Sequence, residues 1–280
     1  MWSAAAGTGT SMARAAGSAC PADRRGKREN GPVQIDVALL PGAARPMAGR
    51  VLVVVDQIRA STTITTALDL GCADLFLAGD VRTARRLARE TGSLLAGERH
   101  ARKPAGFDFD NSPSELSRAE IRGRSLVLCT TNGTAVLRRL RGGDDVLVGC
   151  LRNARAVAAA AVGRARAAGP DGSIQVVCAG RLARFTLEDA VAAGVITGRV
   201  VECLTQMDEA IGITDAADAA MRLRASYPDL LSAMEESDGG ATLREIGQAD
   251  DIAFCAAEDA SRTVPRIVAG DPTRVVRLPR

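Results

Sequence analysis

Val51-Leu52-Val53-Val54-Val55 is an unbroken apolar run, closed by Asp56 and followed by the hydroxyl-rich stretch Ser61–Leu70. Continuous Val/Leu/Ile runs of this length suit strands covered on both faces, where no alternation between core and solvent is required. The pattern recurs. Predicted strands are Val33–Leu40, Val51–Val55, Leu75–Ala78, Ser93–Ala96, Leu126–Cys129, Val146–Val148 and Ile174–Cys178. Helical periodicity between them predicts Ser61–Leu70, Val81–Glu90, Thr134–Arg141, Ala154–Ala168 and Thr186–Leu204. Such alternation predicts an α/β chain of three layers, α/β/α, with a mostly parallel or mixed central sheet. After Ile213 the pattern turns mostly helical. Two short runs, Val264–Val268 and Thr273–Leu278, then predict a strand pair at the C-terminus.

Residues 1–32 are small, polar and basic without the apolar middle of a secretory signal, and read as a disordered leader. That leaves 33–280 as a single α/β domain. Aromatics are only 2% of the chain, so Val, Leu, Ile and Ala must fill the core. A net charge of +3, with no basic run interleaved with aromatics, gives no case for nucleic acid as a partner. No apolar run approaches the ~18 residues of a membrane-spanning helix, so no membrane association is expected. The seven cysteines are dispersed, with no C-x-x-C pair, which reads as free thiols in a reducing cytoplasm. A homo-oligomer is compatible with the sequence but not specified by it.

Ligands of open α/β sheets collect beyond the carboxyl ends of strands. Four segments place polar residues at such ends. In the first, Asp56 ends a strand, Arg59 follows, and Ser61 opens the next helix. A strand-tip carboxylate suits a cation or nucleophile, and an arginine suits an anionic fork. The alternative is a Ser61 helix cap beside an Asp56–Arg59 surface pair. In the second, Thr130-Thr131-Asn132-Gly133-Thr134 joins strand to helix, a pattern that can cradle a phosphate with hydroxyls and free amides, or serve as an ordinary turn with a Thr cap.

The third segment pairs Cys178 with Arg184 at C-x5-R spacing, which would suit a thiolate phosphatase. Its glycine is misplaced for that loop, however, and no His precedes the Cys. Thr186 and Asp189 in the same segment predict a capping box, while Glu188 and Asp189 are either first-turn charges or metal ligands. The fourth, Gly97 to Glu115, contains Asp108-Phe109-Asp110, which spells the D-x-D of haloacid dehalogenases. That chemistry needs the first Asp at a buried strand tip, whereas Asp108 follows a loop. Asn111-Ser112-Pro113 reads instead as a helix start. His100, the single His, lacks the second His of a histidine phosphatase and reads as a loop residue.

In order and spacing, these segments resemble the 2-phosphosulfolactate phosphatase family. The resemblance is carried by Asp56-Gln57-Ile58-Arg59-Ala60-Ser61-Thr62-Thr63, Gly97-Glu98-Arg99, Gly106-Phe107-Asp108 with Asn111-Ser112-Pro113, Thr130 to Thr134, Cys178-Ala179-Gly180, Leu187-Glu188-Asp189, Asp251-Ile252-x-Phe254-Cys255 and Val264-Pro265. Asp110 stands where the family usually has glycine, Arg181 and Arg184 enrich a loop where glycine is more typical, and His100 replaces a small residue.

The resemblance implies a Mg²⁺-dependent phosphoric monoester hydrolase acting on a small anionic phosphorylated 2-hydroxy acid that bears a sulfonate. Under it, Asp56, Arg59, Glu98 and Asp108 would be catalytic. Ser61, Arg99, Asn111, Thr131, Asn132, Gly133 and Thr134 would bind substrate, and Asp56, Glu98, Glu188 and Asp189 would surround the metal. Two alternatives stand beside it: the Cys178-dependent phosphatase and a non-catalytic anion- or metabolite-binding protein.

Overall fold

A computed structural model describes residues 31–143 and 145–279. The leader expectation therefore lies, for residues 1–30, outside the described residues. Ten strands form one mixed sheet: β1 (Val33–Ala38), β2 (Arg50–Val55), β3 (Leu75–Ala78), β4 (Leu94–Gly97), β5 (Leu126–Cys129), β6 (Asp145–Gly149), β7 (Ser173–Cys178), β8 (Ile211–Ile213), β9 (Pro265–Val268) and β10 (Thr273–Arg277). Their spatial order is β4-β5-β3-β10-β9-β6-β2-β7-β1-β8.

The helices are α1 (Ala60–Asp69), α2 (Val81–Thr91), α3 (Pro113–Leu116), α4 (Gly133–Leu140), α5 (Ala154–Ala167), α6 (Leu187–Gln206), α7 (Asp215–Ala225), α8 (Leu230–Glu236), α9 (Asp238–Glu245) and α10 (Asp250–Ala256). Local chemistry sets their starts. Asp80 caps α2 by accepting the Thr83 amide at 2.8 Å, and Ser112 caps α3 through the Glu115 amide with Pro113 at the first helical position. No described helix is long and apolar enough to cross a membrane.

The layers follow from continuous strand burial. Val51, Val53 and Val55 of β2 pack with Val157 and Ala161 of α5 and with Val191 and Ile196 of α6. Leu52 and Val54 face the other way, toward Ile64 of α1 and Leu137 of α4. Both faces of β2 are thus in core, which is why its sequence does not alternate.

β6, β2, β7, β1 and β8 run parallel to one another, as do β3, β5 and β4. The hairpin β9–β10 stands between these blocks and pairs antiparallel with β6 on one side and β3 on the other. The expected C-terminal strand pair therefore exists, but in the middle of the sheet, and the two parallel blocks run in opposite senses. Their ends nevertheless meet: a Cβ on Gly133, at the start of α4 after β5, would fall 2.5 Å from Asp56 Oδ2, just past β2.

Candidate functional site

Asp56 stands at the tip of β2, buried, and its Oδ1 accepts the Ala60 amide at the start of α1 (3.1 Å). From the other block, the tip of β5 approaches so closely that a Cβ on Gly133 would fall 2.5 Å from Asp56 Oδ2. Gly133 is therefore fixed by contact, and its amide points to the same carboxylate.

Glu98, just past β4, organises the neighbouring loop. Its Oε1 accepts the Thr131 amide at 2.7 Å, and its Oε2 accepts the Thr131 hydroxyl at 3.1 Å and the Ala101 amide at 2.8 Å. Past β7, Asp189 on the first turn of α6 accepts the amides of Gln57 (2.7 Å) and Gly180 (2.8 Å). The expected capping box is replaced by this arrangement: Thr186 occupies the N-cap without a side-chain cap bond, and the Asp189 carboxylate bridges two strand ends.

These ends enclose a cavity of about 190 Å³. Among the sequence-derived candidates, Asp56, Arg59, Glu98 and Asn111 line it, as do Thr131 with Asn132 and Glu188 with Asp189. The remaining candidates stand outside its lining. Asp108 is exposed, and its Oδ2 accepts the Leu95 amide at 2.8 Å, so it secures the loop to β4. Arg99 turns away to the Gly79 carbonyl and Cys129 Sγ. Ser61 is fully buried, accepting the Asp56 amide at 2.9 Å, which makes it part of the turn's scaffold. Thr134 exchanges hydrogen bonds with Thr130, and Gly133 touches Asp56.

Arg59 does not pair with Asp56 on the surface. It is buried, and its Nη1 donates to Asp251 Oδ2 at 2.6 Å and Gln248 Oε1 at 2.5 Å. Asp110, which stands where the resembling family usually has glycine, belongs to the same network: Oδ1 accepts the Asn111 amide and Oδ2 accepts Gln248 Nε2, both at 2.6 Å. Sequence reasoning missed Gln248 and the contribution of Gly239, Thr242 and Leu243 from α9. The only available signal for this region was the Asp251-to-Cys255 motif. His100 and Leu182, at the tips of two turns, complete the rim with backbone in the left-handed region.

Electrostatics mark the cavity. Burial, then the Asp189 charge, raises Asp56 from 3.8 to about 7 against the opposing Ala60 amide. Burial, then Glu188, raises Asp189 to about 7. Glu188 is raised as well, first by burial and then by Asp56. Two buried acceptors of the lining, Glu188 Oε2 and Asn111 Oδ1, have no hydrogen-bond partner.

The same field opposes the C-x5-R reading. Cys178 is fully buried, and burial with Asp189 and Glu188 pushes its thiol well above the ordinary range, while Arg184 lies exposed. A thiolate there would face carboxylates rather than a cation.

Among the described residues, no three His, Cys, Asp or Glu side chains converge into a ready-made metal cage. The carboxylates are nonetheless near enough to raise one another. Glu98, Asp189 and Asp56 all accept backbone amides, whereas Glu188 Oε2 is buried without a partner, which makes Glu188 the carboxylate with most capacity left.

Comparison with known proteins places the chain in a family. The family model described as 2-phosphosulpholactate phosphatase matches residues 40–270. A Thermotoga petrophila protein is 35% identical over 237 residues, covering 84% of this chain and 96% of its own. One from Deinococcus radiodurans is 37% identical over 242 residues, covering 85% and 95%. Another from Thermus thermophilus is 35% identical over 216 residues, covering 77% and 86%. Each bears the name "Probable 2-phosphosulfolactate phosphatase". With strand-tip carboxylates, a Thr-rich loop and a buried arginine around one cavity, and a family match over most of its length, the chain belongs to the 2-phosphosulfolactate phosphatase family, a family of phosphoric monoester hydrolases.

Proposed function

We propose that this cavity hydrolyses the phosphate monoester of a small 2-hydroxy acid, converting 2-phospho-3-sulfolactate to 3-sulfolactate and phosphate with Mg²⁺ as cofactor. The observation that carries the reading is the charge of the lining. Four carboxylates, Asp56, Glu98, Glu188 and Asp189, face two guanidiniums, Arg59 and Arg181, and Asp251 already balances one of these. A phosphate dianion enters such a site only if protons or a cation offset the carboxylates.

Asp56 and Glu188 would hold the cation, which suits Mg²⁺ because it takes one or two protein carboxylates and fills its shell from water and substrate phosphate. When bound, Mg²⁺ supplies charge neutralisation at the non-bridging phosphate oxygens. The chain's own groups do the rest. Arg59 receives an anionic group of the substrate, and Asn132 and the Thr131 backbone, fixed by Glu98, border the phosphate. Asp56, at the tip of β2, meets the phosphoryl group either as nucleophile or as base toward water. Burial and the Asp189 charge raise its pKa to about 7 in the metal-free cavity, and a cation held there would favour its ionised form.

The test is phosphate release from 2-phosphosulfolactate and from a panel of small phosphorylated acids, with Mg²⁺ and with EDTA. The reading expects turnover that requires Mg²⁺ and favours the sulfonated acid. Ligand-induced stabilisation without turnover on any substrate would replace it with a non-catalytic binding role.

A further inference from the structure

Arg59 and Asp110 stand 4.0 Å apart at their nearest charged atoms, although both are buried. A guanidinium and a carboxylate free to meet inside a protein close to about 2.7–2.9 Å. Here the Gln248 carboxamide spans the gap. Its Oε1 accepts Arg59 Nη1 at 2.5 Å, and its Nε2 donates to Asp110 Oδ2 at 2.6 Å. On the other side Asp251, wholly buried, takes the same Arg59 nitrogen at 2.6 Å. Asp251 Oδ1 is itself fixed by the Ser112 hydroxyl (2.9 Å) and the Ser114 amide (3.0 Å). Arg59 is thus tethered through one nitrogen, while its side chain still lines the cavity.

We propose that Gln248 is a spacer that keeps Asp110 from closing onto Arg59, so that the guanidinium stays aimed into the cavity to receive the anionic group of the substrate that does not react. The proposal rests on reading the cavity as the substrate site. Gln248 is a positioning residue and stands outside the cavity lining. Its amide supplies one acceptor and one donor, which matches the arginine on one side and the carboxylate on the other. Without it, Asp110 pairs directly with Arg59, which neutralises the guanidinium and draws it back from the ligand. An arginine locked before the ligand arrives also loses little side-chain freedom on binding.

The distinguishing experiment combines two substitutions. Gln248→Ala should raise KM for 2-phosphosulfolactate about tenfold with kcat within about threefold, the signature of lost ground-state binding. Adding Asp110→Asn removes the carboxylate that would capture Arg59, so the double variant should return KM to within about threefold of wild type. A purely structural role for Gln248 predicts no such rescue. Unchanged KM in Gln248→Ala, or a loss that Asp110→Asn leaves in place, overturns the spacer. If the wild-type protein hydrolyses no phosphorylated acid, the functional reading fails, and the spacer is tested by thermal stabilisation with inorganic sulfate. That stabilisation should be present in wild type, absent in Gln248→Ala and restored in the double variant; any other pattern rejects the spacer.

Discussion

Asp189 reaches from the first turn of α6 to the backbone amide of Gln57, 2.7 Å away at the end of β2. Its second oxygen holds the Gly180 amide beyond β7. One carboxylate therefore ties together two neighbouring strand ends that border the cavity. An asparagine in its place presents an NH₂ group to one of two N–H donors and leaves that amide unsatisfied. Asp189→Asn should lower stability by about 1–3 kcal/mol in urea unfolding. It should also reduce kcat/KM, because the Asp56 turn loses its tether. Wild-type stability in that variant would show the tether to be dispensable.

The raised carboxyls give stability a definite pH dependence. Asp56 and Asp189 ionise near 7 in the folded chain against 3.8 unexposed to the fold. As pH rises from 3.8 toward 7, the unfolded chain releases protons that the folded chain retains, so unfolding gains ground. Their stabilising contribution is complete below 3.8 and is lost as pH rises through 7. Tm should fall between about pH 4 and 7 and level off above that, by about 2–4 °C for each kcal/mol lost. Mg²⁺ at pH 8 should restore part of it by binding the ionised cluster. An Asp56→Asn variant with the same slope as wild type would remove Asp56 from this account.

Gly133 offers a steric test of the meeting of the two sheet blocks. A methyl group there would fall 2.5 Å from Asp56 Oδ2 and 2.6 Å from Ala60 Cβ. Gly133→Ala must displace the Asp56 carboxylate or the α4 start. The expected outcome is a fall in kcat/KM on the order of 100-fold, since small misplacements near the reacting groups have such effects. Activity near wild type would mean that Asp56 need not stand where it does.

The sequence disclosed every strand built from a continuous apolar run, because burial on both faces writes itself into consecutive residues. β8 escaped because Ile211-Gly212-Ile213 is too short to carry a period. The central position of β9–β10 escaped as well, since its register depends on pairing with β3 and β6, far away in the chain. At the site, Asp56, Glu98 and Thr131 were legible as polar residues following strands. Asp108 and Arg99 fall outside the cavity lining, because order along a loop does not fix side-chain direction. Asp108 faces the Leu95 amide and Arg99 the Gly79 carbonyl, contacts that only the folded loop creates. Gln248 had no signal at all, since a lone glutamine becomes informative only between an arginine and a carboxylate.

The choice between carboxylate and thiol chemistry can be made with one pair of variants. Cys178 is wholly buried within reach of the Asp189 and Glu188 charges, so its thiolate is disfavoured by burial and by like charge. Cys178→Ala removes one buried sulfur, which costs about 1–2 kcal/mol of packing, and should leave kcat within about threefold. Asp56→Asn keeps the size of the side chain but removes its charge and its proton exchange. It should lower kcat/KM by about 10²–10⁴-fold, the range lost with an acid–base group. EDTA should abolish activity in wild type and in Cys178→Ala alike. The reverse result, an inactive Cys178→Ala and an EDTA-resistant wild type, would transfer the chemistry to the thiol. The cavity carboxylates would then have to activate a cysteine that they electrostatically oppose.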